Sequence, residues 1–135
     1  MVEDNPGDVR LMKEVLKAIG FHTRLAVVED GEKAMEYLRQ PGSPPAVIFL
    51  DLNLPRKDGR QVLAEIKTDP VLKRIPVIIL TTSEASLDVQ RAYDLQANCY
   101  IHKPSDFDKY IDMIRSCQRF WFQVVRLPTS VQALA

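Results

Sequence analysis

Apolar stretches of strand length recur along this chain, and each runs into a residue with a polar head. Ala46-Val47-Ile48-Phe49-Leu50 leads to Asp51, Pro76-Val77-Ile78-Ile79-Leu80 to Thr81, and Asn98-Cys99-Tyr100-Ile101-His102 to Lys103. The short Met1-Val2 leads to Glu3-Asp4. Near-continuous apolar strands belong to parallel sheets covered on both faces, because parallel neighbours need crossover helices that pack on the sheet. Such sheets collect their chemistry at the carboxyl ends of the strands. Carboxylates, a hydroxyl and an ammonium are therefore expected on one rim.

The intervening segments read as those helices. Asn5 is expected to cap a first helix with Pro6 at its first position and Asp8 in its first turn; Val9, Met12, Val15, Leu16 and Ile19 share a face, and Gly20 stops it. Thr23 to Val28 reads as a strand. A second helix follows Asp30-Gly31 and buries Ala34, Met35, Tyr37 and Leu38. Gln40 to Pro45 is a proline and glycine loop. Gly59 to Thr68 carries Val62, Leu63 and Ile66 at helical spacing and ends at Asp69-Pro70. A fourth helix runs through Val89, Ala92 and Tyr93, and Ser105 is expected to cap the last one. Five alternating units give an α/β fold, a doubly wound five-stranded parallel sheet of flavodoxin-like order 2-1-3-4-5 with helices on both faces. Its switch point would lie between Glu3-Asp4 and Asp51. The first strand is short, as though several residues before Met1 belonged to it.

With 135 residues the chain is large enough for one domain with its own core, needing neither disulfide nor structural metal. One domain is expected over residues 1–126 and a tail over 127–135. Lys plus Arg and Asp plus Glu balance at 18 each, without long runs of one sign, which argues against general affinity for nucleic acid or anionic membrane. Cys99 and Cys117 are widely separated, have no metal-ligand spacing and read as reduced core thiols. No signal peptide is apparent and the apolar runs are too short to span a bilayer, so a cytoplasmic protein is expected.

Carboxylates converging within a few Å repel one another unless a hard cation sits among them. Mg²⁺ suits the position, since it takes oxygen ligands, keeps several waters and shares its shell with phosphoryl oxygens. In that arrangement Asp51 is placed for in-line attack on a phosphoryl group whose charge the metal and Lys103 offset. Thr81 is placed to donate to a phosphoryl oxygen, and the backbone carbonyl of Asn53 to complete the metal shell. Each residue alone has an ordinary explanation as cap, surface charge or backbone partner. Their common position at the ends of separate strands carries the argument.

Glu3-Asp4-Asn5, Asp51-Leu52-Asn53-Leu54-Pro55 with Gly59, Thr81 and Lys103-Pro104 together resemble the receiver domain of two-component response regulators over nearly the whole chain. The resemblance implies phosphoryl transfer from a histidine kinase to Asp51, dependent on Mg²⁺, followed by hydrolysis of the acyl phosphate. By position, Glu3, Asp4, Asp51 and the Asn53 carbonyl would bind metal, and Thr81 and Lys103 would hold the phosphoryl group. It also implies an inward movement of Thr81 and a rotamer change at Tyr100 that remodel the face made by the fourth helix, fifth strand and fifth helix. The Lys103-Pro104 bond is often cis in such proteins. Two positions depart from the family pattern: Glu3 replaces the commoner aspartate, and Thr82 stands where a small residue is usual and would slow dephosphorylation by hindering water. The stretch Leu72 to Pro76, Asn98-Cys99-Tyr100 and Phe120-Trp121-Phe122 further resemble stand-alone receivers that partner phytochrome-like kinases.

Towards the end, Phe120-Trp121-Phe122, Val124, Val125 and Leu127 make the last helix apolar around much of its circumference. A homodimer through Phe120, Trp121, Phe122 and Val125 is the expectation, with folding back onto the domain as the alternative. No DNA-binding helix pair follows, so output would pass through a downstream protein or phosphotransfer partner. An aspartyl-nucleophile phosphatase of the haloacid dehalogenase type would want a second aspartate where Asn53 stands. A flavin module would want a phosphate-cradling loop where Glu3-Asp4 would repel it. A phosphorylation-independent docking module is the remaining rival. His22 and His102 read as surface residues, with His102 placed to touch a partner.

Overall fold

The computed structural model describes residues 1–128. Three parallel strands form a sheet in the order β1-β2-β3: β1 (Ile48–Leu50), β2 (Val77–Thr81) and β3 (Cys99–His102). Ile48, Phe49 and Leu50 pair with Val77, Ile78 and Ile79, and Ile78 to Thr81 pair with Cys99 to His102. Val2 continues the sheet beyond β1, bridging Leu50 on one side and Val28 on the other, both parallel. The expected strand from Thr23 to Val28 is thus reduced to a bridge at Val28. Its ladder is short: the Glu3 amide donates to the Val28 carbonyl at 3.0 Å and the Val28 amide to the Met1 carbonyl at 3.1 Å.

Helices α1 (Pro6–Ala18), α2 (Gly31–Arg39), α3 (Gly59–Thr68), α4 (Ser86–Asp94) and α5 (Phe107–Arg119) alternate with these segments, and a short 3-10 turn (Leu72–Arg74) precedes β2. Their starts follow from side-chain oxygens that accept otherwise unpaired amides. Asn5 Oδ1 accepts from Gly7 at 2.8 Å, and Asp30 Oδ1 from Lys33 at 2.8 Å. Asp58 and Gln61 cap α3 reciprocally. The cap of α5 is Asp106, whose Oδ1 accepts from Lys109 at 2.8 Å, and not the expected Ser105. Gly20, with φ of 69°, takes the left-handed conformation after α1 that other residues avoid. The Lys103-Pro104 bond is trans, since the described backbone holds no cis peptide.

Period-2 alternation divides the core. Ile48, Leu50, Val77 and Ile79 face Ala34, Met35, Val62, Leu63, Ile66 and Ala92 of α2, α3 and α4. Phe49, Leu80 and Ile101 face Met12, Val15, Tyr110 and Ile114 of α1 and α5. Helices therefore cover both faces, and every residue of β2 is buried. Tyr37, expected inside, is 39% exposed. It lies one position off the Ala34, Met35 and Leu38 stripe.

Beyond α5 the chain continues as a π-helical turn (Phe120–Val124). The segment folds back onto the domain in part and leaves part of its apolar surface exposed. Phe122 meets Phe21 edge-on at 5.1 Å and Leu127 is buried, so some of it folds back, whereas Phe120 and Val124 remain 49% and 63% exposed. Trp121 is half-buried and meets Phe120 edge-on at 5.1 Å.

Gly59 fixes the approach of α3 to the end of β1. A methyl group there would collide with the Asp51 carbonyl oxygen and the Leu52 Cα, and the Gly59 amide donates to the Leu52 carbonyl at 2.9 Å. Gly59→Ala is expected to lower stability by about 2–3 kcal/mol, the usual range for overpacking. Comparison of urea unfolding midpoints with the wild-type protein checks this.

Candidate functional site

The strand ends deliver their polar residues to one place. Lys103 follows β3 directly, and its amide donates to the Thr81 carbonyl at 2.7 Å, which ties its position to the end of β2. From there its ammonium Nζ reaches Glu3 Oε1 at 2.6 Å, Asp8 Oδ2 at 2.8 Å and Asp51 Oδ2 at 3.1 Å. The other oxygens of two of these groups are also engaged. Glu3 Oε2 accepts from the Asn5 amide at 3.2 Å, and Asp51 Oδ1 accepts weakly from the Asn53 amide at 3.4 Å.

Glu3, Asp51 and Lys103 are buried and Asp4 is exposed. Carboxylate oxygens of Glu3, Asp4 and Asp51 all lie within 4.8 Å of one another. Such a set of hard oxygen donors, open on the Asp4 side and carrying more negative charge than one ammonium offsets, fits a small divalent cation. At the end of β2, the Thr81 hydroxyl is fully buried with no hydrogen-bond partner among the described residues. An unpaired buried hydroxyl is costly, by about 1–3 kcal/mol, and an incoming oxygen-rich group would satisfy it.

The electrostatics follow from crowding. Burial pushes the Glu3 carboxyl up to about 7; the Lys103 hydrogen bond opposes that shift and the Asp51 charge adds to it. For Lys103 burial favours loss of the proton, but hydrogen bonds to Asp8 and Glu3 and the charge of Asp51 outweigh it and raise its pKa.

Of the residues singled out from the sequence, Glu3, Asp4, Asp51 and Lys103 meet at this rim, Thr81 ends the neighbouring strand β2, and Phe120, Trp121 and Phe122 lie elsewhere, beyond α5. Asn53 stands two residues beyond Asp51, with its amide turned to that carboxylate. Tyr100 lies half-buried on β3, and its hydroxyl donates to the Ser83 carbonyl at 3.0 Å. Ser83 in turn donates to Asp88 at 2.6 Å, and Arg60 joins Asp88, at 3.0 Å, to Asp58, at 3.2 Å. This polar chain links the loop after Thr81 to the starts of α4 and α3. Thr82 is exposed. His102 is an exposed residue 3.4 Å from Glu84.

Sequence reasoning did not assign Asp8 to Lys103, having read it only as a first-turn acid; its place four residues beyond Asp4 on a helix leaving the same rim was the available signal. The Tyr110 hydroxyl, buried and unpartnered on α5, was also missed. Burial first, then the charge of Asp8, raises its pKa. An apolar cavity of about 320 Å³, lined by Val2, Phe49, Ile114 and Trp121 among others, contains none of the rim residues.

The model of the response regulator receiver domain matches residues 1–115. The chain belongs to this family. Among curated relatives, response regulator Rcp1 of Synechocystis sp. is 47% identical over 135 residues, covering 96% of this chain and 92% of Rcp1. The crystal structure of the phosphorylated cyanobacterial phytochrome response regulator RcpA superposes with a TM-score of 0.87 at 47% identity, covering 94% of each chain. The Mn²⁺-bound form of Rcp1 gives a TM-score of 0.84 at 46% identity, covering 94% of this chain and 95% of that one. Among the described residues no helix of this receiver is long and apolar enough to cross a membrane.

Without divalent metal, the raised Glu3 makes the receiver's stability depend on pH with a definite sign. Its folded pKa of about 7 lies above the ordinary 4.5, so the folded state holds the proton more tightly. The contribution is fully present below pH 4.5 and is lost as pH rises through 7, by an amount of at most about 3 kcal/mol. Urea unfolding in chelator should show stability falling across that window, with the slope flattened in Glu3→Gln.

Proposed function

We propose that this receiver is a phytochrome-type response regulator that accepts a phosphoryl group on Asp51 from a histidine kinase. The observation that carries the reading is the buried Asp51 carboxylate held beside the Lys103 ammonium, at 3.1 Å, with the unpartnered Thr81 hydroxyl at the neighbouring strand end. An oxygen of Asp51 attacks phosphorus as the bond from phosphorus to the kinase imidazole nitrogen breaks; the imidazole leaves and an acyl phosphate remains. Lys103 and Thr81 hold the phosphoryl oxygens. Glu3, Asp4, Asp51 and the Asn53 carbonyl are the residues for Mg²⁺, which when bound supplies positive charge to the transferring oxygens. Support comes from the similarity to a phosphorylated RcpA and a Mn²⁺-bound Rcp1.

The finer reading has several parts. The segments around Val2 and Val28 are the remaining strands of a five-stranded sheet in the order 2-1-3-4-5, and residues 1–126 form the receiver, with a tail over 127–135 that begins at the buried Leu127. Residues 129–135 of that tail lie outside the described structure. The protein works in the cytoplasm as a phosphoacceptor that promotes its own phosphorylation and dephosphorylation, with a phytochrome-like kinase upstream and a protein or phosphotransfer partner downstream. Thr81 and Tyr100 are the switch residues, and the exposed Thr82 slows the approach of water. Phe120, Trp121, Phe122 and Val125 form a homodimer surface, supported by the exposure of Phe120 (49%) and Phe122 (41%).

Two measurements test this. Incubation with Mg²⁺ and acetyl phosphate, followed by intact mass, should show one added phosphoryl group that is absent from Asp51→Asn and from samples with chelator. Sedimentation velocity should show a dimer whose dissociation constant rises about tenfold or more in Phe120→Glu, a charge placed inside an apolar contact. A wild-type protein that stays monomeric at high concentration would remove the dimer from the reading.

A further inference from the structure

We propose that Asp8 is a positioning residue that receives the Lys103 ammonium when a divalent cation takes over Glu3. This rests on the metal reading above and concerns how the site admits the ion. Lys103 has three carboxylate partners and an ammonium has three protons to give. Two of those partners, Glu3 and Asp51, belong to the carboxylate set whose oxygens lie within 4.8 Å of one another. Asp8 is the one partner outside that set. It is also the most solvated of the three, its side chain 27% exposed against 2% for Glu3 and 8% for Asp51.

The shortest of the three contacts is the one a metal must disturb. Glu3 Oε1 lies 2.6 Å from the ammonium, and Glu3 Oε2 already accepts the Asn5 amide at 3.2 Å. Neither oxygen is idle, so a cation entering at Glu3 meets the ammonium at close range, and like charges in a buried site repel strongly. Asp8 gives Lys103 a charged partner at 2.8 Å that is not among the clustered carboxylates. Its own place is fixed by the first turn of α1, where Asn5 Oδ1 accepts from the Asp8 amide at 3.4 Å and an acidic side chain is favoured by the helix terminus. The ammonium then stays within reach of Asp51 while Glu3 is left to the metal.

Isothermal titration of Mg²⁺ into the wild-type protein, Asp8→Asn, Lys103→Met and the double variant tests this as a cycle. Asp8→Asn should weaken Mg²⁺ binding about tenfold, the scale of one close charge pair, and should change it less than twofold when Lys103 is already methionine. Equal weakening in both backgrounds would mean that Asp8 acts on the ion directly and would overturn the proposal, as would an unchanged affinity in Asp8→Asn. If Lys103→Met does not fold, nuclear magnetic resonance of the lysine ammonium groups decides instead. The Lys103 signal should stay protected from solvent exchange on Mg²⁺ addition in the wild-type protein and lose protection in Asp8→Asn; protection in both overturns the proposal. Failure of the wild-type protein to bind Mg²⁺ would overturn the metal reading itself, and the proposal with it.

Discussion

One ammonium holds the site together. Lys103 Nζ contacts carboxylates from the segment after Val2, from α1 and from the end of β1, at 2.6 to 3.1 Å, and those three chain segments have no other common partner in the hydrogen-bond network of the described residues. Removing three carboxylates and an ammonium from water is expensive, and a pair of this kind stabilises little by itself compared with apolar packing. The arrangement makes sense as a poised charge balance. Two of the three clustered carboxylates, Glu3 and Asp51, are held together by an ammonium that belongs to the chain. The backbone fixes where that cation stands, because β3 pairs with β2 up to Thr81 and His102, and the Lys103 amide then donates to Thr81.

That dependence explains which parts of the site were legible in the sequence. Asp51, Thr81 and Lys103 end apolar runs, and in a parallel sheet the end of a run fixes both position and side, so the rim could be read before any coordinates. Asn5, Pro6 and Gly20 likewise announced α1 through local capping chemistry. Asp8 was hidden because two explanations coincide there: an acid in a first turn is favoured by the helix terminus whether or not it has a distant partner. Its link to Lys103 spans 95 positions, and the one local cue is its place in the first turn of a helix leaving the rim. Ser105 and Asp106 are both competent caps, and the choice between them is set by where the chain leaves Lys103. The strand expected from Thr23 to Val28 shrank to one bridge because strand formation depends on a neighbour, and Met1-Val2 are the residues that stand beside it.

The rest of the rim bears on how occupancy would be felt elsewhere. A group that binds Asp51 shifts a conformational equilibrium only by the difference in its interactions with the two states. On the proposed reading the Thr81 hydroxyl supplies such a difference: it is buried and unpaired among the described residues, at about 1–3 kcal/mol, and a phosphoryl oxygen within its reach would satisfy it. Against that gain stand the contacts that hold the following loop in place, the Tyr100 hydroxyl on the Ser83 carbonyl at 3.0 Å and Ser83 on Asp88 at 2.6 Å. Each neutral hydrogen bond of this kind contributes about 1 kcal/mol net, and one to a charged group somewhat more.

On the proposed reading the two sides are therefore of similar size, which is the condition that Thr81 and Tyr100 would need to act as a switch. Were the loop held far more strongly, satisfying Thr81 would leave Tyr100 and α4 where they are; were it held far less, the loop would rearrange without a phosphoryl group. The Arg60 bridge to Asp88, at 3.0 Å, adds a contact between α3 and α4 that lies outside the site yet loads the same loop. Both of its side chains reach solvent, so screening keeps its contribution small. A weak tether of that kind tunes the balance without deciding it, and on the proposed reading the contact at Thr81 carries the larger bias.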